Sequence, residues 1–190
     1  MDGARPELIT DDALDDLERE AIGRVRGRVL EIGAGEGANF GAFHDDVEWI
    51  GLEPDFDRRV ELAQQARAWQ HAREPLDAVA ESIPLPDGSV DAVVGTYVLC
   101  SVRDQGVALA EVRRVLRPGG RLLVTVPYHG RAKAALIALT RFDTHFDPLG
   151  QHLRFYTRRS LATALEATGF ERIHAARFAP GALKARAVRG

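Results

Sequence analysis

The chain has one cysteine among its 190 residues, Cys100, so it has no internal disulfide. A lone thiol fits a reducing compartment. It has one methionine and only two lysines, Lys133 and Lys184, so arginine supplies nearly all of its positive charge. Charge of either sign is not in large excess. A net −3 leaves no overall basic field for nucleic acid. The apolar run 134–139 in the C-terminal half is far too short to span a bilayer. The first 16 residues are acidic and lack the basic and apolar blocks of a secretory signal. Internal repeats and low-complexity stretches are absent as well. These absences predict a cytoplasmic protein with no membrane span and no nucleic-acid partner.

What is present is the composition of a globule, 45% hydrophobic and 28% charged. The length suits one domain, 1–190, able to remove roughly 70% of its unfolded surface from water. Strand and helix signals alternate along it, which predicts a mainly parallel α/β sheet. Leu8, Leu14, Leu17, Ala21 and Ile22 recur among acids, so 7–24 reads as an amphipathic helix, a cap over residues 1–27. Strands are expected at 28–32, 49–53, 76–80, 90–96, 121–126, 170–178 and 182–188. Helices are expected at 36–44, 57–71 (with Asp57 as N-cap), 104–116, 131–140 and 158–168. Pro180-Gly181 joins the last two strands tightly, so that pair is antiparallel. The fold class is thus a three-layer αβα sandwich: seven strands, mostly parallel, with an antiparallel end.

Glycines 33, 35 and 37 follow the first strand. Glycine lets the backbone turn sharply and approach a ligand without Cβ clashes. A following helix start directs free N–H groups toward a bound molecule. Glu53 stands 18 residues after Gly35, near the spacing of an acid that grips ribose hydroxyls. By itself the loop also suits a dinucleotide fingerprint or a plain strand-to-helix turn. Glu36 inside it is awkward for a pyrophosphate and acceptable for a ligand without phosphate.

Four blocks stand in order over about 28–126. They are Leu30-Glu31-Ile32-Gly33-Ala34-Gly35-Glu36-Gly37 and Leu52-Glu53-Pro54-Asp55. Then come Ala80-Glu81-Ser82-Ile83-Pro84-Leu85-Pro86-Asp87-Gly88-Ser89-Val90-Asp91 and Glu111-Val112-Arg113-Arg114-Val115-Leu116-Arg117-Pro118-Gly119-Gly120. In these blocks the chain resembles the class I S-adenosylmethionine (SAM)-dependent methyltransferases, and more narrowly their type 11 group, with a Rossmann-like fold. The resemblance implies SAM as cofactor. It implies that Gly33, Ala34 and Gly35 face the methionine part. Glu31 would order the loop and reach the amino group through water. Glu53 would accept both ribose hydroxyls, and Pro54 and Asp55 would flank the adenine. Ala80, Glu81 and Ser82 would line the adenine edge, and Thr96 and Tyr97 would lie below the sulfonium. Many relatives have Asp where this chain has Val79; here Glu81 or a backbone carbonyl would meet the adenine amino group. Segment 98–102 resembles the lipid and thiol methyltransferases of the group, whereas the stretch after the fifth strand does not continue like theirs.

Methyl transfer from a sulfonium is a direct displacement, so the protein chiefly aligns acceptor and methyl. A base is needed only if the acceptor must lose a proton. His129, after the fifth strand, and Tyr97 are the catalytic candidates; the alternative for each is a loop or packing role. The aperiodic stretch 141–157 belongs to an expected substrate lid, 127–157. Its His145, His152, Arg154 and Tyr156 are candidate substrate contacts, or else pin the lid to the core. Asp143, His145, Asp147 and His152 suit hydrogen bonds and ion pairs better than a metal, so no metal is expected. Cys100 reads as a small buried hydrophobe, and Arg113, Arg114, Arg117 and Arg121 as a solvated helix face.

The sequence thus predicts a methyltransferase acting on a small-molecule acceptor. Competing readings are a non-catalytic SAM-binding regulatory subunit and an NAD(P)-dependent oxidoreductase. A homodimer that completes the pocket is compatible with the sequence.

Overall fold

The computed structural model describes residues 18–70, 73–127, 156–179 and 182–190. Its central sheet comprises β1 (Arg28–Ile32), β2 (Glu48–Leu52), β3 (Val90–Thr96), β4 (Leu116–Pro127), β5 (Phe170–Ala179) and β6 (Ala182–Arg189). The helices are α1 (Phe56–Ala68), α2 (Gln105–Val115) and α3 (Arg158–Ala167), with a three-residue 3₁₀ turn at Phe40–Ala42. Residues 18–22 are helical, the described end of the expected N-terminal helix.

The strand order is β2-β1-β3-β4-β6-β5. β1, β2, β3 and β4 run parallel, whereas β6 pairs antiparallel with both β4 and β5. The expected terminal hairpin is therefore present. Alternation along each strand sorts side chains to two faces. Val29, Ala92, Val94 and Leu123 meet Ile22 and the α1 residues Leu62 and Ala66. Leu30, Ile32, Val93, Leu122 and Val124 meet Leu109 and Val112 of α2 and Leu161 and Leu165 of α3. The strands β1 to β3 are thus buried on both faces, which accounts for their nearly unbroken apolar runs.

α1, α2 and α3 each begin at a side-chain cap. Asp55 Oδ1 accepts the Arg58 N–H at 3.0 Å, and Asp104 Oδ1 that of Val107 at 3.0 Å. The N-cap of α1 is therefore Asp55, not Asp57. Asp57 falls in the first turn, where its charge favours the positive end of the helix. Thr157 and Ser160 form a reciprocal capping box on α3. Gly169 ends that helix at φ +80°, as expected of a left-handed stop.

Two expected elements differ. Six strands are described rather than seven, because 76–80 contributes a single parallel bridge, Leu52 to Leu76. Leu76 donates to the Gly51 carbonyl at 2.8 Å and accepts from Glu53 at 3.1 Å. The next rung would need the Glu53 carbonyl and the Asp55 N–H. Arg59 Nη1 occupies the first at 2.8 Å and the Glu53 carboxylate the second at 3.0 Å. The expected helix 36–44 is reduced to the 3₁₀ turn. Gly37 at φ +91° and Gly41 weaken it, and Asn39 at its start makes no side-chain cap. Most of the expected lid and the helix expected at 131–140 lie outside the described residues.

Candidate cofactor and active site

The chain leaves β1 for β2 on one side and reaches β3 on the other. The crevice at the carboxyl ends of β1 and β3 lies at this reversal, where open α/β sheets bind ligands. Gly33 at φ +61° and Gly35 at φ +57° turn the chain there. A Cβ on Gly33 would lie 2.5 Å from Val98 Cγ2, so the loop is packed tightly against the segment after β3. A Cβ on Gly35 would meet nothing within 4 Å: on that side the loop faces open space.

Glu53 closes the other side of this space. It is 5% exposed. Its Oε2 accepts the Gly35 N–H at 2.9 Å and its Oε1 the Asp55 N–H at 3.0 Å. The Ala34 N–H meets the Leu52 carbonyl at 3.1 Å, which lays the glycine loop along the end of β2. A carboxylate has about four acceptor positions. Two are filled by backbone donors, so each oxygen can accept one more hydrogen bond. A vicinal diol presents two such donors. The site therefore fits the ribose of SAM, with Gly35 free of the side chain that would crowd it.

Glu31, on β1, is 1% exposed. Its Oε1 accepts Asn39 Nδ2 at 2.6 Å and its Oε2 accepts Trp49 Nε1 at 2.8 Å. Asn39 Nδ2 also donates to Thr96 Oγ1 at 2.9 Å, tying the glycine loop to the end of β3. Burial pushes the Glu31 carboxyl up to about 7, against the pull of hydrogen bonds from Asn39 and Trp49.

Tyr97 follows Thr96 with φ +54°, a conformation unusual for a side chain of its size. Its N–H donates to the Thr125 carbonyl at 3.0 Å, and its carbonyl accepts Cys100 Sγ at 3.0 Å. The Tyr97 side chain is 43% exposed beside the crevice mouth. Cys100 is fully buried, in keeping with a packing role. Tyr156 is a core residue: it is buried, and its hydroxyl donates to the Leu99 carbonyl at 2.9 Å rather than facing an acceptor.

The segment from Ala80 to Asp87 is held by α2. Ala80 is buried and Ser82 exposed in a turn, the Ser82 N–H meeting the Val79 carbonyl at 3.0 Å. Glu81 Oε1 accepts the N–H groups of Arg103 and Asp104 at 2.7 and 3.2 Å, so that oxygen orders the entry to α2. Arg114 is a clamp and not a solvated charge. It donates to the carbonyls of Ile83 and Leu85, each at 2.8 Å, to Asp87 at 2.7 Å and to both Glu111 oxygens. Arg114 hydrogen bonds hold the Glu111 carboxyl below its usual range, and Glu111 and Asp87 raise the guanidinium. Arg117 pairs with Asp91 at 2.9 Å, and Arg113 Nε donates to the Gly169 carbonyl at 3.1 Å.

The structure therefore gathers Glu31, Gly33, Ala34, Gly35, Glu53, Thr96 and Tyr97 at one sheet edge. Exposed Pro54 adjoins them, and Ala80 to Ser82 lie on the segment leading from the Leu76 bridge. His129, His145, His152 and Arg154 lie outside the described residues. Asn39, Trp49 and Arg114 are the additions. Asn39 alone carried a local signal, as an amide four residues past Gly35. Another concavity, of about 890 Å³ among Phe40, Trp49, Trp69 and Arg73, adjoins the amino end of β2 and includes none of the expected site residues. Among the described residues no group of three or more His, Cys, Asp and Glu could hold a metal, and no helix is long and apolar enough to cross a membrane.

A family model described as a methyltransferase domain matches residues 4–175. The chain is 35% identical over 130 residues to a human thiol S-methyltransferase, TMT1B, covering 60% of this chain and 53% of that protein. It is 36% identical over 150 residues to a probable S-adenosylmethionine-dependent methyltransferase of Mycolicibacterium smegmatis, covering 78% and 54%. The chain spans about half the length of these curated relatives. Among solved structures, a putative methyltransferase of Bacillus halodurans superposes with a TM-score of 0.77 at 17% identity, covering 93% of this chain and 99% of that one. The YcgJ protein of Bacillus subtilis superposes at 0.73 and 19% identity, covering 92% and 97%. With the family model spanning most of its length, the chain belongs to the SAM-dependent methyltransferases of the Rossmann-like class I type, whose cofactor is SAM.

Proposed function

We propose that the chain transfers the methyl group of SAM to a small-molecule acceptor by direct displacement. The observation that carries this is the Glu53 carboxylate, fixed by Gly35 and Asp55 and with acceptor capacity left toward the open side of the glycine loop. Glu53 holds the ribose diol, and Gly33 to Gly35 admit the methionine part without steric conflict. Ala80, Glu81 and Ser82 flank the adenine with Pro54. When bound, SAM supplies a methyl group already activated on a sulfonium. The chain's own contribution is position. Thr96 and Tyr97 define the floor on which the acceptor meets the methyl, and such alignment can supply roughly 7–11 kcal/mol of the barrier.

A thiol is the acceptor class this reading favours. The support is the name of the human relative and the similarity over its 130 matched residues. A free thiol titrates at about 8.5, and the thiolate fraction present near neutrality attacks without further help, so no dedicated base is required. His129 is the base for acceptors that keep their proton. Incubation of the purified chain with labelled SAM and a panel of small thiols, phenols and amines tests this. Label in a thioether supports the thiol class. Label in phenols or amines alone moves the acceptor class and keeps the enzyme. SAM turnover with no acceptor in the panel contradicts the proposal.

A further inference from the structure

We propose that a second groove, on the β4-β6-β5 half of the sheet, binds a small soluble polyanion carrying two or more phosphate or carboxylate groups. The groove measures about 480 Å³, within the range of small-molecule sites, roughly 300–1,000 Å³. Its strand wall presents Arg121, Arg172, His174, Lys184 and Arg186, and the N-terminal segment contributes Glu20 and Arg24. Register places Arg121, His174, Lys184 and Arg186 on one face. Lys184 stands opposite Thr125, and Arg186 opposite both Leu123 and His174. Directly opposed or adjacent like charges destabilise a sheet unless a counter-charge lies among them.

The counter-charge falls on one side of the groove, where Glu20 and Glu18 act on Lys184. Glu20 is already paired with Arg24. Glu18 accepts the Thr125 hydroxyl at 2.7 Å. Among the described residues Arg121, Arg172 and Arg186 form no ion pair, whereas Arg59, Arg114 and Arg117 elsewhere each hold a carboxylate. Lys184 is pulled below its usual range, first by burial and then by Arg186, against the opposing pull of Glu20 and Glu18. The backbone adds an independent sign. Arg172 has φ +49°, at a register shift between Glu171 and His174. A bulge re-aims a side chain, and a left-handed arginine is a conformation that persists only where its surroundings impose it. Here the re-aimed side chain joins the groove.

The groove's arginines lie away from the cofactor crevice, and only its Lys184 end approaches it, since Lys184 pairs with Thr125 and Thr125 with Thr96. Glu53 follows β2 at the opposite half of the sheet, and Arg121 stands at the amino side of β4's parallel stretch, away from its carboxyl end at Pro127. The test is calorimetric titration of the whole chain with inorganic tripolyphosphate, beside the double variant Arg121→Glu/Arg186→Glu. Both side chains are exposed, so charge reversal leaves the core intact, and an unchanged thermal midpoint verifies this. Expected is one-site binding, weakened at least tenfold by the double reversal and by added salt. Three results would overturn the proposal. One is no binding by the whole chain. Another is binding that survives the double reversal. The third is binding to anionic phospholipid vesicles without binding to tripolyphosphate.

Discussion

Glu53 Oε2 and the Gly35 backbone N–H, 2.9 Å apart, join the acid after β2 to the loop after β1. One carboxylate thus shapes the glycine loop and leaves lone pairs for a diol. Glu53→Ala is expected to weaken SAM binding by roughly 1.5–3 kcal/mol through loss of charge-assisted hydrogen bonds. Glu53→Gln, which keeps the shape but can accept at one oxygen only, is expected to lose less. Calorimetry on folded variants reads both. Unchanged affinity in Glu53→Ala would remove Glu53 from the ribose site.

Glu31 gives the fold a pH-dependent term. Its carboxyl titrates near 7 in the native state and near 4.5 when unfolded. Between those values the native state holds the extra proton. Stability from this group is therefore full below about pH 4.5, falls as pH rises through 7, and is flat above. The span corresponds to about 3 kcal/mol at most. Glu31→Gln leaves one of the two donors, Asn39 or Trp49, without an acceptor, so it lowers stability at low pH. It also flattens the slope between pH 5 and 7.5. Urea unfolding at those two pH values measures this; an equal slope in both proteins would contradict the buried carboxyl.

Arg114 and Arg121 separate a clamp from a surface charge. Arg114→Ala strands the carbonyls of Ile83 and Leu85 and frees the segment leading into β3. The expected cost is about 1–3 kcal/mol. Arg121→Ala is expected to stay within about 0.5 kcal/mol. Thermal denaturation of the pair tests the contrast, and equal effects would return Arg114 to a solvated role.

Tyr97 carries strain at the crevice. Tyr97→Gly relieves the left-handed backbone, whereas Tyr97→Ala keeps it and loses the side chain. The glycine variant is expected to be more stable than the alanine variant by about 1 kcal/mol. Both are expected to lower turnover if the side chain meets the acceptor. Denaturation midpoints and initial rates, measured together, test both halves.

Much of this was legible because the signals are local. Gly33, Gly35 and Glu53 lie at fixed offsets from strand ends, and Pro180-Gly181 sits between the two strands of the last hairpin. The rest was hidden where contacts are long-range or compete. The third strand fails because Arg59 and the Glu53 side chain take the two backbone groups its next rung needs. Arg114 looked solvated because its partners Ile83, Leu85 and Asp87 stand 27 to 31 residues away. Trp49 meets Glu31 across 18 residues and two strands, which hydrophobic periodicity does not report.

The most direct measurement is titration of the whole chain with SAM, S-adenosylhomocysteine and NAD by calorimetry. Binding of the first two without NAD, lost or weakened in Glu53→Ala, is the predicted result. Binding of NAD alone, or of none of the three by the folded chain, would contradict the cofactor site built by Gly35 and Glu53.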